Sequence, residues 1–191
     1  MKNILFCPID LPKCPVIPKV DTTNDFLWWR FGRLTTTPDF QYQRTDWLPE
    51  IKETYPDLIN WFKLFPIKSI VGVKLNFQYK TVEPHIDFIH PKLDEKLWQH
   101  NNDNEPCGYR ILLKGTRKNK MYVVDGEEKI YCTLPEETDV YVLGHTTALH
   151  GVDLDYSRLT IYTHFEVDED LHQKLIMQSI DKYNQYVVYK K

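Results

Sequence analysis

Between residues 70 and 79 the chain alternates: Val71, Val73, Leu75, Phe77 and Tyr79 stand against Gly72, Lys74, Asn76 and Gln78. A period of two belongs to a strand with one buried face, and it predicts a strand here that runs on into Val82-Glu83-Pro84-His85-Ile86-Asp87-Phe88. Upstream the spacing is different. Over residues 46–65, Trp47, Leu48, Ile51, Tyr55, Leu58, Ile59, Phe62 and Phe65 recur every three or four positions, which predicts a helix with one apolar stripe, capped by Asp46 and divided at Pro56. Downstream, short strands are predicted at 109–113, 121–124, 128–132, 139–143, 146–152 and 158–165, the second and third joined by a tight turn across Asp125-Gly126. A last helix is predicted over 169–183, with Leu171, Leu175, Ile176, Ile180 and Tyr183 as its stripe. Strands this short and this closely spaced predict a β sandwich or barrel with flanking helices.

The remaining stretches are less regular. Residues 1–23 carry Pro8, Pro12, Pro15 and Pro18 and read as an extended segment along the surface. Residues 24–34, with Phe26-Leu27-Trp28-Trp29 and Phe31, fit a strand or a short helix. Residues 88–108 are polar and read as a long loop with one helical turn at 93–98. A loop of that length in a compact domain serves a function or stays disordered, and here it would hang beside His85 and Asp87 as a lid. No linker or repeat interrupts the chain, so its 191 residues predict one domain. Its parts are an N-terminal extension with helices (1–66), a β core (67–168) and a C-terminal helix (169–191).

Composition narrows the partners more than the fold. Hydrophobic residues make up 42% and charged ones 27%, the balance of an ordinary globular chain. The net charge of −3 argues against nucleic acid, and Arg117-Lys118-Asn119-Lys120 reads as a solvated turn. No apolar run reaches the roughly 20 residues that span a bilayer, and the early prolines break any signal-peptide core, so a cytoplasmic location is expected. Cys7, Cys14, Cys107 and Cys132 show no metal-binding or paired spacing and are expected as reduced, mostly buried thiols.

In an extended segment, His85 and Asp87 point to one face. A neutral imidazole beside a carboxylate supplies two of the three ligands of a 2-His-1-carboxylate iron site. The triplet alone is common, so the third ligand matters. A jelly roll would bring it from a later strand, where His145 and His150 lie five residues apart and therefore face opposite ways in one continuous strand. His150 precedes the turn Asp153-Leu154-Asp155-Tyr156, and a hairpin there would set Arg158 on the neighbouring strand. The planar fork of Arg158 suits the distal carboxylate of 2-oxoglutarate, with Thr160 and Tyr162 on the same face to add hydroxyl contacts.

These segments together resemble the aspartyl/asparaginyl β-hydroxylase family of Fe(II)/2-oxoglutarate-dependent dioxygenases. The similarity runs through residues 73–87, Tyr109-Arg110-Ile111-Leu112-Leu113-Lys114-Gly115-Thr116, Asp125-Gly126-Glu127, Thr138-Asp139-Val140-Tyr141-Val142-Leu143, Leu149-His150-Gly151-Val152 and residues 158–167. It covers roughly half the chain and implies a mainly β, double-stranded β-helix (jelly-roll, cupin-like) core. It further implies His85, Asp87 and His150 as iron ligands, Arg158 at the 2-oxoglutarate distal carboxylate, and Arg110 near cosubstrate or substrate. Leu112 stands where the family's Arg-x-His motif has its histidine, and Thr160 replaces another family histidine.

The activity expected on this basis is hydroxylation, with Fe(II), 2-oxoglutarate and O₂, of a small-molecule or peptide substrate, an amino acid or peptide side chain being favoured. Two alternatives stand beside it. One is a cupin-like metalloenzyme that does without 2-oxoglutarate and draws ligands from His85, Asp87, His90 or His145. The other is a jelly-roll binding module without catalysis.

Overall fold

The computed structural model describes residues 4–19, 28–33, 35, 36, 42, 43, 47–78, 81–87, 107–115, 120–144, 148–153 and 157–191. Among these described residues thirteen strands and three α-helices follow in order: β1 (Ile4–Pro8), β2 (Trp28–Arg33), β3 (Thr35–Thr36), β4 (Tyr42–Gln43), α1 (Pro49–Thr54), α2 (Pro56–Phe62), β5 (Ile67–Gln78), β6 (Val82–His85), β7 (Cys107–Lys114), β8 (Met121–Asp125), β9 (Glu128–Tyr131), β10 (Val140–Leu143), β11 (His150–Val152), β12 (Arg158–Val167), α3 (Glu169–Tyr183) and β13 (Val188–Tyr189). The fold is mainly β. One antiparallel sheet has the order β13-β1-β10-β7-β12-β5-β2, a second has the order β6-β11-β8-β9, and β3 and β4 form a small ribbon.

Two apolar layers hold these elements together. The first lies between the larger sheet and the helices, where Val73, Leu75, Ile111, Ile161 and Phe165 meet Leu58, Phe62 and Ile176. The second lies between the sheets, where Phe6, Leu112, Tyr141 and Leu143 meet Met121, Val123 and Val152 of the smaller sheet. Alternation along β7 and β10 thus sends Tyr109, Ile111, Val140 and Val142 to the helices and Leu112, Tyr141 and Leu143 toward the smaller sheet.

Several local expectations are corrected by this arrangement. The first helix begins at Pro49 with Leu48 as its N-cap and no side-chain cap, rather than at Asp46, which lies outside the described residues. Proline suits that first position, since its missing N–H would have no partner there, and Pro56 starts α2 for the same reason. Residues 4–8 are a fully buried strand between β10 and β13, not a surface strap. Within 24–34 the described part, 28–33, is a strand, and β7 starts at Cys107 inside the stretch expected as loop.

Asp125 and Glu128 are paired, so the tight turn is Gly126-Glu127, one residue later than expected. Gly126 has φ of 63°, the left-handed conformation that the first central residue of such a turn requires. In α3 the buried residues are His172, Ile176, Ser179 and Tyr183, a cleaner four-three-four spacing than the apolar one, while Leu171 is 55% exposed. Among the described residues no helix is long and apolar enough to cross a membrane. Cys7, Cys14 and Cys132 are free thiols; burial pushes Cys7 up to about 12 and Cys14 up to about 11.

Candidate metal centre

The strand leading to the His-x-Asp triplet is broken, not continuous. After Gln78 the chain leaves the larger sheet and returns as β6, the edge strand of the smaller one, so β5 and β6 lie in different sheets. An edge position tolerates Pro84, which has no N–H to give to a neighbour. On β6 and β11, His85 pairs with His150 and Val82 with Val152. Three steps on one strand therefore match two on the other, which is a bulge. Its effect is specific: Val82 packs against the layer between the sheets, and a regular strand would turn the residue three positions on to the other side. The extra residue turns His85 back inward, beside His150.

Asp87 completes the group. Its Oδ1 lies 3.4 Å from His85 Nε2 and 3.8 Å from His150 Nε2, and the ligand atoms of the three side chains all fall within 4.8 Å of one another. Donors set at right angles around a metal at ~2.1 Å stand ~3.0 Å apart, so the three need to close by only a few tenths of an ångström to over an ångström. They are the one such group of three among the described residues. The His85 and His150 ring centroids are 4.5 Å apart.

Each of the three candidate ligands is held through its second polar atom. His85 Nδ1 lies 2.8 Å from the carbonyl oxygen of Glu83, and His150 Nδ1 lies 2.9 Å from that of Ala148. A carbonyl only accepts, so each Nδ1 carries the proton and each Nε2 presents a lone pair, the tautomer a metal requires. Burial lowers the His150 pKa below its ordinary value, opposed by the Ala148 carbonyl and the Asp87 charge, which favours the neutral ring at neutral pH.

Asp87 Oδ2 meets Nη2 of Arg110 at 3.4 Å, leaving Oδ1 toward the imidazoles. Arg110 itself is 2% exposed and fixed. Its Nη1 donates to the carbonyls of Tyr109 and Thr163, and its guanidinium lies 4.4 Å from the centroid of the Tyr162 ring. The side chains of His85 and Asp87 are 43% and 32% exposed, whereas that of His150 is buried.

Arg158 is not on a strand beside His150. The expected hairpin is absent: β11 pairs with β6 and β8, whereas β12 pairs with β5 and β7 in the other sheet. The chain between them crosses from sheet to sheet, and Arg158 belongs to the opposite wall. It is buried there, donating through Nε to Thr160 Oγ1 at 3.2 Å and through Nη2 to the Tyr141 hydroxyl at 3.0 Å. Tyr141 in turn is the cross-strand partner of Arg110, and Arg110 that of Tyr162. A polar row of Arg158, Tyr141, Arg110 and Asp87 thus leads from one sheet toward the histidines on the other.

Tyr141 is the residue that the sequence does not single out. Its strand reads only as a short apolar run; the register that sets it opposite Arg110 is visible in the structure alone. His90, His145 and residues 88–106 of the lid expected over 88–108 lie outside the described residues, and its last two residues belong to β7. No protein-family model matches the chain, and no curated protein matches it.

Proposed function

We propose that this chain is an Fe(II)- and 2-oxoglutarate-dependent dioxygenase that hydroxylates an amino acid or peptide side chain, with a double-stranded β-helix core of the aspartyl/asparaginyl β-hydroxylase type. One observation carries the reading: two imidazoles, from β6 and β11, and one carboxylate, two residues past the end of β6, converge, each with its other polar atom tied down, so that three donors face one point. Two neutral nitrogens and one carboxylate oxygen are the donor set of non-haem iron oxygenases. The winding of the core supports the same reading. Of strands β5 to β12, four (β5, β7, β10, β12) lie in one sheet and four (β6, β8, β9, β11) in the other, with first paired to last in the larger sheet.

In this reading His85 Nε2, Asp87 Oδ1 and His150 Nε2 hold the iron. Bound there, it supplies the chemistry that couples oxidative decarboxylation of 2-oxoglutarate to succinate and CO₂ with hydroxylation of a C–H bond by O₂. The chain's own work is to bind and orient. Arg158 takes the distal carboxylate of 2-oxoglutarate with its fork. Thr160 and Tyr141 accept from Arg158, so each hydroxyl keeps its own proton for the same carboxylate. Burial raises the Tyr141 pKa, which keeps that proton in place. Tyr162 stacks on Arg110 and fixes its direction, and Arg110 keeps Asp87 to one donor oxygen.

The test is turnover. With Fe(II), O₂ and ascorbate the protein forms succinate from 2-oxoglutarate, slowly without substrate, and His85→Ala and Asp87→Ala both abolish it. Full succinate formation by both variants excludes the site.

A further inference from the structure

We propose that Gln78 is a further binding residue, one that completes the cradle for the far carboxylate of the dicarboxylic cosubstrate and so helps select a dicarboxylate over a monocarboxylate. The inference rests on the 2-oxoglutarate reading above. Gln78 is the cross-strand partner of Arg158, one strand over on β5. Its neighbour Phe77 packs into the layer under the helices, so alternation sends Gln78 to the other face, the one that carries Arg158, Thr160 and Tyr162.

The polar atoms of this side chain are incompletely used. Nε2 stands 3.5 Å from the Tyr162 hydroxyl, at the outer limit of a hydrogen bond, and Oε1 is shut off from solvent with no hydrogen-bond partner among the described residues. A buried amide oxygen left without a donor is costly. Turning the amide by half a rotation about its last bond resolves the arrangement. Oε1 then accepts from the Tyr162 hydroxyl, and the NH₂ group occupies the buried, unpartnered position beside Arg158. A carboxylate offers acceptors only, so a ligand anion there takes an N–H of Gln78 alongside the guanidinium and the hydroxyls of Thr160 and Tyr141. A ligand with a methyl group in place of that carboxylate gains nothing from Gln78.

The experiment is a cycle of two proteins and two ligands on the full chain loaded with Mn(II) in place of iron. Affinities for 2-oxoglutarate and for 2-oxopentanoate, which has the same chain without the distal carboxylate, are measured by calorimetric titration for the wild type and for Gln78→Met. One hydrogen bond to a charged group corresponds to about a tenfold change or more. Gln78→Met is expected to bind 2-oxoglutarate about tenfold more weakly and 2-oxopentanoate unchanged. Gln78→Glu, which sets a carboxylate against the ligand's own, is expected to lose still more on 2-oxoglutarate alone.

Equal losses on both ligands from either variant would mean that Gln78 only shapes the strand, and no loss on either would mean that it does not reach the ligand; both overturn the inference. Mn(II) affinity is expected to be unchanged by both substitutions. If wild-type protein binds Mn(II) but neither keto acid, the cosubstrate reading fails, and the role of Gln78 falls with it.

Discussion

His85 and His150 face each other across the β6–β11 pair with ring centroids 4.5 Å apart, and each donates its Nδ1 proton to a carbonyl two residues earlier in its own chain. The same local device on two antiparallel strands orients both Nε2 atoms toward Asp87. The arrangement is built from backbone carbonyls and a bulge, so it survives changes in distant side chains and fails when the strand pair moves.

Ligand removal is the first consequence. Loss of a residue behind a metal ligand costs roughly 10–100-fold in affinity, and loss of the ligand itself costs more. His85→Ala, Asp87→Ala and His150→Ala are each expected to weaken Mn(II) binding by roughly a hundredfold or more, read by electron paramagnetic resonance of the free ion. Wild-type affinity in any one of them removes that residue from the site.

Gly151 tests the dependence on the strand pair. A Cβ at this position would sit against the Tyr122 hydroxyl and 2.6 Å from the Val82 carbonyl oxygen, and the second of these is backbone of β6. Gly151→Ala therefore pushes β6 away from β11 and separates the two imidazoles. A stability loss on the order of 1–3 kcal/mol is expected in urea unfolding, together with weaker Mn(II) binding. Wild-type values of both would show that the pair is looser than the geometry implies.

Arg110 is buried with three hydrogen bonds, two to backbone carbonyls and one to Asp87. Replacing it with alanine strands the Thr163 carbonyl and empties the space beside Tyr162. Part of the Asp87 contribution is screened, since that side chain is 32% exposed. A loss on the order of 2–3 kcal/mol is expected, measured by chemical unfolding of the metal-free protein. A loss within about 0.5 kcal/mol, the range of ordinary surface substitutions, contradicts the assigned bonds.

The lowered pKa of His150 gives the metal-free protein a pH dependence of defined sign. The unfolded chain takes up the proton near the ordinary value of 6.5, the folded chain only below it. Between those two values the unfolded state binds more protons, so stability rises with pH through the window and falls as the pH drops below about 6.5. His150→Gln is expected to flatten that part of the curve of unfolding free energy against pH. An unchanged slope assigns the effect to another group.

How far these features could be read in the sequence depends on their range. The alternation of β5, the spacing of α2 and the extent of α3 come from local periodicity and are legible, as is the candidacy of His85, Asp87, His150 and Arg158. What joins them is not local. The change of sheet between β5 and β6 leaves no polarity signal, because the residues of both segments keep alternating. The crossing between β11 and β12 looks like a hairpin from residues 153–156, since turn residues mark a reversal without naming the sheet to which the chain returns. Tyr141 and Gln78 are invisible for a related reason: alternation assigns a face to a residue, whereas only register assigns its neighbours. Leu171 and His172 show the limit in α3, where the helix buries the polar residue that bonds Tyr109 and exposes the apolar one.

The absorption spectrum of the protein under nitrogen with Fe(II) and 2-oxoglutarate reads the proposed iron site and its cosubstrate together. Chelation of the keto acid by an iron held on His85, Asp87 and His150 is expected to give a visible metal-to-ligand charge-transfer band. That band should be absent with succinate in place of 2-oxoglutarate and absent in Asp87→Ala, and it should need higher 2-oxoglutarate in Arg158→Gln. A wild-type protein that binds Fe(II) yet shows no band at saturating 2-oxoglutarate contradicts the account.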